Sequence, residues 1–209
     1  VMFLNKFDEE LLLQNDVNFL VSLNLLNFWE KGESEYKRVY NIMKNPKMNI
    51  YPNLKEQFFL YNKGKYLDYA ICLMTIEHIE NPLNFLIELV NCIKPGGKLI
   101  VTTPNCNEIL MKMDIPGFNQ FYYRTVHFWY FSMKSMYWLG EKSNIKVVRS
   151  FFKHRYDAAN FTRWLRDQHA SGNGGMDELF DKHFNQFFSS YLVSKGLADD
   201  IVIHYEITK

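Results

Sequence analysis

The chain has 209 residues, with 24 basic and 23 acidic side chains and a formal net charge of +1. A near-neutral charge provides no broad basic surface for nucleic acid or an anionic membrane, and no apolar run reaches the ~18 residues of a membrane helix. The length predicts one domain, 1–209, with a full core. The three cysteines lack metal-type spacing, so we expect no metal site and free thiols in the cytoplasm.

The first part of the chain, residues 1–65, is predicted to be mainly helical. Residues 8–30 carry apolar side chains at helical spacing, and Ser34–Met43 predicts a second helix. Met48–Pro52 predicts a short strand. Short apolar runs fit both helix and strand, so this region has less distinctive patterning than the rest.

The next part, residues 67–105, predicts a strand, a helix and a second strand. Leu67–Leu73 is an apolar run of strand length, and Asn81-Pro82 opens a helix with apolar residues at helical spacing. Lys94–Gly97 predicts the end of that helix, and Lys98–Thr103 predicts the second strand. A unit of this length is typical of a right-handed parallel crossover.

The remaining elements alternate between helices and strands. We expect a helical start at Asn107–Met113, Pro116-Gly117 as a break, a helix at Ser132–Glu141, a strand at Ile145–Phe152, helices at Tyr156–Gln168 and Met176–Lys195, and a closing strand at Ile201–Ile207. The pattern therefore predicts an α/β fold.

Polar residues follow both strands of the crossover unit. They are Thr75, Glu77 and His78 after the first strand, and Thr102, Thr103 and Asn105 at the end of the second. Parallel sheets bind ligands beyond the carboxyl ends of their strands. The sequence therefore predicts a binding site at this edge of the sheet.

The same unit resembles the middle of class I S-adenosylmethionine-dependent methyltransferases, within the small-molecule branch. The residues that carry the resemblance are Asp68, Glu77-His78, Asn81-Pro82, Lys94–Gly97 and Thr103–Asn105, and the likeness extends over residues 66–209. It implies a Rossmann-like, mostly parallel sheet flanked by helices, with an antiparallel last strand and a shortened or altered N-terminal part.

The resemblance also implies a function. It implies S-adenosylmethionine as the cofactor and a small-molecule acceptor, such as a sugar or cell-envelope precursor, with no nucleic-acid or membrane partner. The positions that correspond to cofactor-binding residues are Leu73, Met74, Thr75, Glu77 and His78.

One feature of the family is missing. The family binds its cofactor at a glycine-rich turn after the first strand, where the backbone must approach the ligand closely, yet no Gly-x-Gly occurs before residue 66. The alternative hypothesis is therefore an inactive, methyltransferase-like remnant or fragment that does not bind S-adenosylmethionine and acts, if at all, through a partner.

Two histidines are the candidate catalytic residues. His78 has a side chain that titrates near neutral pH and suits a general base, although Glu77-His78 could instead cap the following helix. His127 could act as a base or bind the acceptor, or could be a half-buried residue among aromatics. Those aromatics, residues 121–123 and 128–130, fit either a pocket wall or the core.

Cations beside aromatic side chains form the last candidate group. His154-Arg155 and Arg163 with Arg166 could bind a phosphate or carboxylate. The simpler interpretation is a solvated helix face with extended arginine side chains.

Overall fold

The computed structural model describes residues 19–23, 48–50 and 67–208, and it contains a six-stranded sheet. The strands are β1 (Phe19–Leu23), β2 (Met48–Ile50), β3 (Leu67–Leu73), β4 (Ile93–Pro104), β5 (Ile145–Lys153) and β6 (Asp200–Ile207). Their order is β2-β1-β3-β4-β6-β5, and β6 alone runs antiparallel to its neighbours. This arrangement confirms the predicted fold with its antiparallel last strand.

Six helices accompany the sheet in the described residues. They are α1 (Pro82–Asn91), α2 (Ile109–Lys112), α3 (Pro116–Tyr122), α4 (Met133–Lys142), α5 (Ala158–Asp167) and α6 (Lys182–Lys195), and a short 3₁₀ turn covers Ile76–His78. Among the described residues, no helix is both long enough and apolar enough to cross a bilayer.

The predicted helix over residues 8–30 is wrong where the structure describes it. Phe19–Leu23 forms β1, which pairs in parallel with both β2 and β3. A mainly apolar stretch of five residues satisfies either pattern, and here pairing with the neighbouring strands decides it. The strand predicted at Met48–Pro52 is confirmed at Met48–Ile50. The rest of residues 8–30 and the predicted helix Ser34–Met43 lie outside the described residues.

The sequence predicted that Lys94–Gly97 ends the preceding helix, and this prediction is wrong. α1 already ends at Asn91, and the register passes from Leu67 opposite Ile93 to Tyr69 opposite Lys98. Lys94–Gly97 therefore bulges out of β4 opposite a single residue of β3. A Cβ atom on Gly97 would lie 2.8 Å from the Asp68 carbonyl oxygen, so this close approach requires glycine.

The later elements follow the prediction with shifted starts. Ser132 caps α4 through a capping box with Ser135, as its sequence position indicated. Pro116, expected to be a break, instead opens α3, because proline suits the first turn of a helix. The last helix begins at Lys182 rather than Met176, where the Asp181 side chain accepts a hydrogen bond from the Phe184 amide.

The apolar core fixes the edge of the sheet that carries the polar residues. Leu86 and Leu89 of α1 pack against the sheet, in which Leu99 and Val101 of β4 and Tyr205 of β6 are at most 1% exposed. The Tyr205 hydroxyl is satisfied, since it donates to the Met136 carbonyl oxygen at 2.6 Å. The carboxyl ends of β3 and β4 are thus held by a closely packed layer.

Candidate active site

The polar segments after β3 and β4 lie at the same edge of the sheet, where the sequence placed them. The Met74 amide donates to the Thr102 carbonyl oxygen at 3.0 Å. The Thr103 hydroxyl donates to Glu77 Oε2 at 3.1 Å. These two bonds join the ends of neighbouring strands directly.

The predicted cofactor-binding residues Leu73, Met74 and Thr75 form a tight turn at the end of β3. The Thr75 hydroxyl donates to the Leu73 carbonyl oxygen at 2.8 Å, and both residues are buried. Met74 adopts a left-handed backbone conformation with φ of 47°. A non-glycine residue in this conformation costs free energy, and such residues concentrate at functional sites.

Glu77 is buried beneath this edge rather than exposed on it. Its exposed fraction is 1%, and burial raises the pKa of its carboxyl group to about 8, against the opposing effect of the Thr103 hydrogen bond. Its carbonyl oxygen accepts from the Phe128 and Trp129 amides at 2.9 and 3.2 Å. Glu77 therefore anchors the loop that carries His127.

The Glu77-His78 pair does not cap the following helix. That cap is Asn81, whose side chain accepts from the Asn84 amide at 3.0 Å. His78 Nδ1 lies 2.9 Å from the Val126 carbonyl oxygen, and since a carbonyl oxygen only accepts, Nδ1 carries the hydrogen. In the neutral ring, Nε2 is then the basic nitrogen, and it lies 3.9 Å from Glu77 Oε1.

His127 lies directly against His78, and we call these two residues the histidine pair. Their ring centroids are 4.6 Å apart in an edge-to-face arrangement. Burial, followed by the charges of His78 and Arg124, lowers the pKa of His127 to about 4. Among the described residues, its buried Nδ1 has no hydrogen-bond partner. His127 is therefore a neutral imidazole at pH 7, half-buried among aromatics as one interpretation predicted.

The histidine pair and Glu77 together offer three ligand atoms within 4.8 Å of one another. One carboxylate and two imidazoles are ligands typical of a divalent transition metal. Sequence analysis did not predict this group, because His127 is remote from Glu77-His78 in the chain. In the described part of the molecule, these residues can hold a cation.

Aromatic rings continue from the histidine pair along one side of the site. The Tyr130 ring lies 5.6 Å from the His127 ring and 5.2 Å from the Tyr122 ring, measured between centroids. The core interpretation of this aromatic segment is wrong for its exposed members, which are Phe121, Tyr123, Phe128 and Trp129. His127, Tyr130 and Tyr122 form what we call the ring wall.

Sequence reasoning missed a buried group of charges, which we call the ion-pair cluster: His154, Arg155, Asp199 and Asp200. Arg155 Nε lies 2.5 Å from Asp199 Oδ2 and 3.0 Å from Asp200 Oδ2. His154 Nδ1 lies 3.0 Å from Asp199 Oδ1. The sequence signal for this cluster was Asp199-Asp200, which stand at the start of the antiparallel strand. In an antiparallel pair, that start lies beside the carboxyl end of β5, which leads into His154 and Arg155.

The solvated-face interpretation is therefore wrong for Arg155, whose side chain is 17% exposed. It describes Arg166 well, because that side chain is 63% exposed and pairs with Asp167. Arg163 donates to the Gly172 carbonyl oxygen at 3.1 Å and binds a loop of the protein itself.

Comparison with known proteins identifies the family. The sequence profile of the methyltransferase domain matches residues 25–150, more than half of the chain. The chain belongs to the class I S-adenosylmethionine-dependent methyltransferase family. The match includes β3, α1 and β4, the unit on which the sequence resemblance rested.

Individual relatives match this chain over shorter segments. A ubiquinone biosynthesis O-methyltransferase of Rickettsia typhi is 35% identical over 75 residues, 36% of this chain and 29% of the relative. The enzyme of the same name from Rickettsia conorii is 49% identical over 44 residues, 21% of this chain and 15% of the relative. The matched segments thus span less than a third of these curated relatives.

A solved structure shares the fold of this chain. A SAM-dependent methyltransferase from Archaeoglobus fulgidus superposes with a TM-score of 0.50 at 11% identity, covering 92% of this chain and 87% of that chain. At this identity the likeness concerns the fold alone.

S-adenosylmethionine is the family's cofactor, and its sulfonium is a cation. At the edge of the sheet where the sequence predicts the cofactor, the buried carboxyl groups of Glu77 and Asp200 lie close enough for the charge of Asp200 to raise the pKa of Glu77. The glycine-rich turn of the family would follow β1, yet residues 24–31 contain no glycine. Residues 24–47 lie outside the described residues.

Proposed function

We propose that this chain transfers a methyl group from S-adenosylmethionine to a hydroxyl oxygen of a small molecule. The observation that carries the proposal is the histidine pair at the carboxyl edge of β3 and β4, with the buried, unpartnered Nδ1 of His127 among the described residues. The names of the Rickettsia relatives support transfer to oxygen.

Each residue of the turn and of the pair has a distinct role in this proposal. Leu73, Met74 and Thr75 would lie along the cofactor, since ligands of such sheets bind beyond the strand ends. When bound, S-adenosylmethionine supplies an electrophilic methyl group. The chain itself must then position the acceptor hydroxyl and remove its proton.

His78 is suited to remove that proton. Its Nδ1 hydrogen is held by the Val126 carbonyl oxygen, so the basic nitrogen is Nε2. Glu77 Oε1 lies 3.9 Å from this nitrogen. His127 stays neutral because of its low pKa, so its Nδ1 can accept a hydrogen bond from the acceptor hydroxyl and position it.

An imidazole base favours one class of acceptor. A phenol, with a pKa of about 10, loses its proton to an imidazole more readily than the less acidic hydroxyl of a sugar. The ring wall offers a flat aromatic surface that suits a phenol. We therefore favour a phenolic acceptor, while the sugar or cell-envelope precursor stays a prediction of the sequence.

Calorimetry with S-adenosylmethionine and S-adenosylhomocysteine tests the proposal. We expect both to bind, and we expect a chain with Tyr191→Phe, an exposed residue on α6, to bind equally well. Failure of either ligand to bind at millimolar concentration contradicts the proposal. That result would support the alternative, an inactive methyltransferase-like remnant.

A further inference from the structure

The helix α6 packs against the rest of the chain with one face and exposes aromatic rings on another. On the packed face, Leu192 is buried and the Phe188 ring lies 5.4 Å from the Phe161 ring of α5, measured between centroids. On the other face, Phe187 is 66% exposed and Tyr191 is 49% exposed. The packed face accounts for the position of α6, and the exposed rings have no role in the fold or in the proposed reaction.

Four rings form a continuous line on this outer side, and we call them the aromatic stripe: Phe180, Phe184, Phe187 and Tyr191. Successive ring centroids along the stripe are 5.2, 6.5 and 6.4 Å apart. Residues three and four apart share one side of a helix, so the spacing of these rings keeps them together. Single exposed apolar residues are ordinary, whereas a contiguous exposed patch indicates an interaction surface.

The two ends of the aromatic stripe carry opposite charges. Before the helix, segment 177–181 contains three exposed acidic side chains. At the other end, the exposed Lys195 has its Nζ 5.9 Å from the centre of the Tyr191 ring. Lys182 lies on the side of the helix away from the stripe, because the two residues between it and Phe184 turn the helix by about 200°. The stripe therefore runs from an acidic end to a basic end.

We propose that the aromatic stripe is a docking surface for a second copy of this chain, with the two α6 helices antiparallel. A twofold axis beside Phe187 would bring each Lys195 to segment 177–181 of the other copy, because both lie at similar distances along the chain from Phe187. The stripe is thus self-complementary, as the interface of a twofold dimer requires. Antiparallel packing also brings together the opposite ends of the two helix dipoles.

The charges beside the stripe favour a second copy over a membrane surface. Helices that lie on a bilayer are rich in lysine and arginine on their polar face. The helix α6 has two lysines and no arginine, and anionic lipid would repel the acidic segment 177–181. A second copy satisfies the acidic and the basic end at once.

The exposed area of the stripe predicts a weak dimer. At exposures of 42–66%, the three exposed rings offer about 300 Å² per copy. A standard stable interface buries about 800 Å² per partner, so the stripe supplies less than half of that area. We therefore expect a dissociation constant on the order of 10 µM.

Sedimentation equilibrium of the full chain, from about 1 µM to about 500 µM, measures the dimer. Phe187→Glu brings two like charges together at the twofold axis and should weaken the dimer about a hundredfold or more. Trp138→Glu is the matched control, since it replaces a half-exposed ring on α4 with the same charge and should leave the dissociation constant unchanged. Thermal melting verifies that both variants fold.

Charge reversal tests the antiparallel arrangement. Lys195→Glu should weaken the dimer about tenfold, because it replaces two attractive contacts with two repulsive ones. Asp177→Lys together with Glu178→Lys should weaken the dimer by a similar factor. Combining all three substitutions restores opposite charges at the two ends and should recover most of the affinity. Failure of the combined variant to recover affinity overturns the antiparallel dimer.

The remaining outcomes separate the docking surface from other occupants and from the proposed function. A chain that stays monomeric at every concentration overturns the proposal, as does a dimer that Phe187→Glu leaves intact. Binding of the monomer to phosphatidylglycerol vesicles that is lost in Phe187→Glu would assign the stripe to a membrane and also overturn it. Methyl transfer is independent of the stripe, so Phe187→Glu should bind S-adenosylhomocysteine as the wild-type chain does.

Discussion

The histidine pair and the ion-pair cluster contain similar chemistry at the same edge of one sheet. Each brings histidine together with buried carboxyl groups. In the ion-pair cluster, Arg155 is bonded to both Asp199 and Asp200 at 2.5 and 3.0 Å. In the histidine pair, His127 keeps a buried nitrogen without a partner among the described residues, and the His78 side chain is 20% exposed.

The difference between the two regions lies in their charges, because both aspartates of the cluster pair with a buried arginine, whereas His127 in the pair is an uncharged ring. A buried charge that is paired and hydrogen-bonded contributes to the uniqueness of the fold, and removing one partner is costly. A partly exposed group with unused hydrogen-bonding capacity can bind something else. We therefore expect substitutions in the cluster to change stability, and substitutions in the pair to change activity.

Arg155→Met should have the largest effect, because it leaves Asp199 and Asp200 buried without their cation. Breaking a buried ion pair in this way costs about 3–5 kcal/mol. Chemical denaturation should show this loss in the free energy of unfolding. Arg166→Met, which removes an exposed ion pair with Asp167, is the matched control and should change stability little. Equal stability of the two variants would show that the cluster is not structural.

His78→Ala should lower the turnover number, since it removes the proposed base. Loss of a general base typically costs about 10²–10⁴-fold, and His127→Ala should lower turnover less because that residue positions the acceptor. Methyl transfer to a phenol measures the rates, and denaturation should show nearly unchanged stability. Wild-type rates in both variants would remove the histidine pair from the mechanism.

The sequence predicted the parts of the fold that are determined locally. The helix start at Asn81 and the apolar face of α1 both lie within a short stretch of chain. The Ser132 capping box is likewise set by neighbouring residues. Such features need no knowledge of distant partners, and the structure places them within a residue or two of the prediction.

The parts that sequence could not predict depend on pairing across the sheet. The sequence predicts helix at β1, because a mainly apolar stretch of five residues has no distinctive period until β3 lies beside it. Arg155 was assigned to a solvated face, because Asp199 reaches it only when β6 pairs with β5. The approach of His127 to His78 has the same origin, since a loop distant in the chain folds back onto Glu77.

The stability of the fold should fall as pH rises from 6.5 to 8.5. Burial raises the carboxyl pKa of Glu77 and Glu108 from 4.5 to about 8 and 9, so in this range the folded chain binds more protons than the unfolded chain. The slope approaches about 1.4 kcal/mol per pH unit for each carboxyl group.

Two features make this pH measurement specific. His127 has a lowered pKa, so it reduces stability only as pH falls below 6.5, outside the chosen range. Glu108→Gln should flatten the pH dependence by removing one of the two carboxyl groups. Denaturation midpoints at several pH values measure the slope, and an unchanged slope in the variant would contradict a protonated Glu108.

Thr103→Val should have the smallest effect, and its pH dependence is informative. The Thr103 hydroxyl donates to Glu77 Oε2 at 3.1 Å, and a typical buried hydrogen bond contributes about 1 kcal/mol. Because this bond favours the ionised carboxylate and lowers the Glu77 pKa, the stability loss should be greater at pH 9 than at pH 6. Thr162→Val, which removes a hydroxyl bonded to the Ala158 carbonyl oxygen, should show no such dependence. If Thr103→Val lowers the free energy of unfolding equally at both pH values, Glu77 does not titrate between them. Its carboxyl group would then be held in one charge state by the ion-pair cluster beside it.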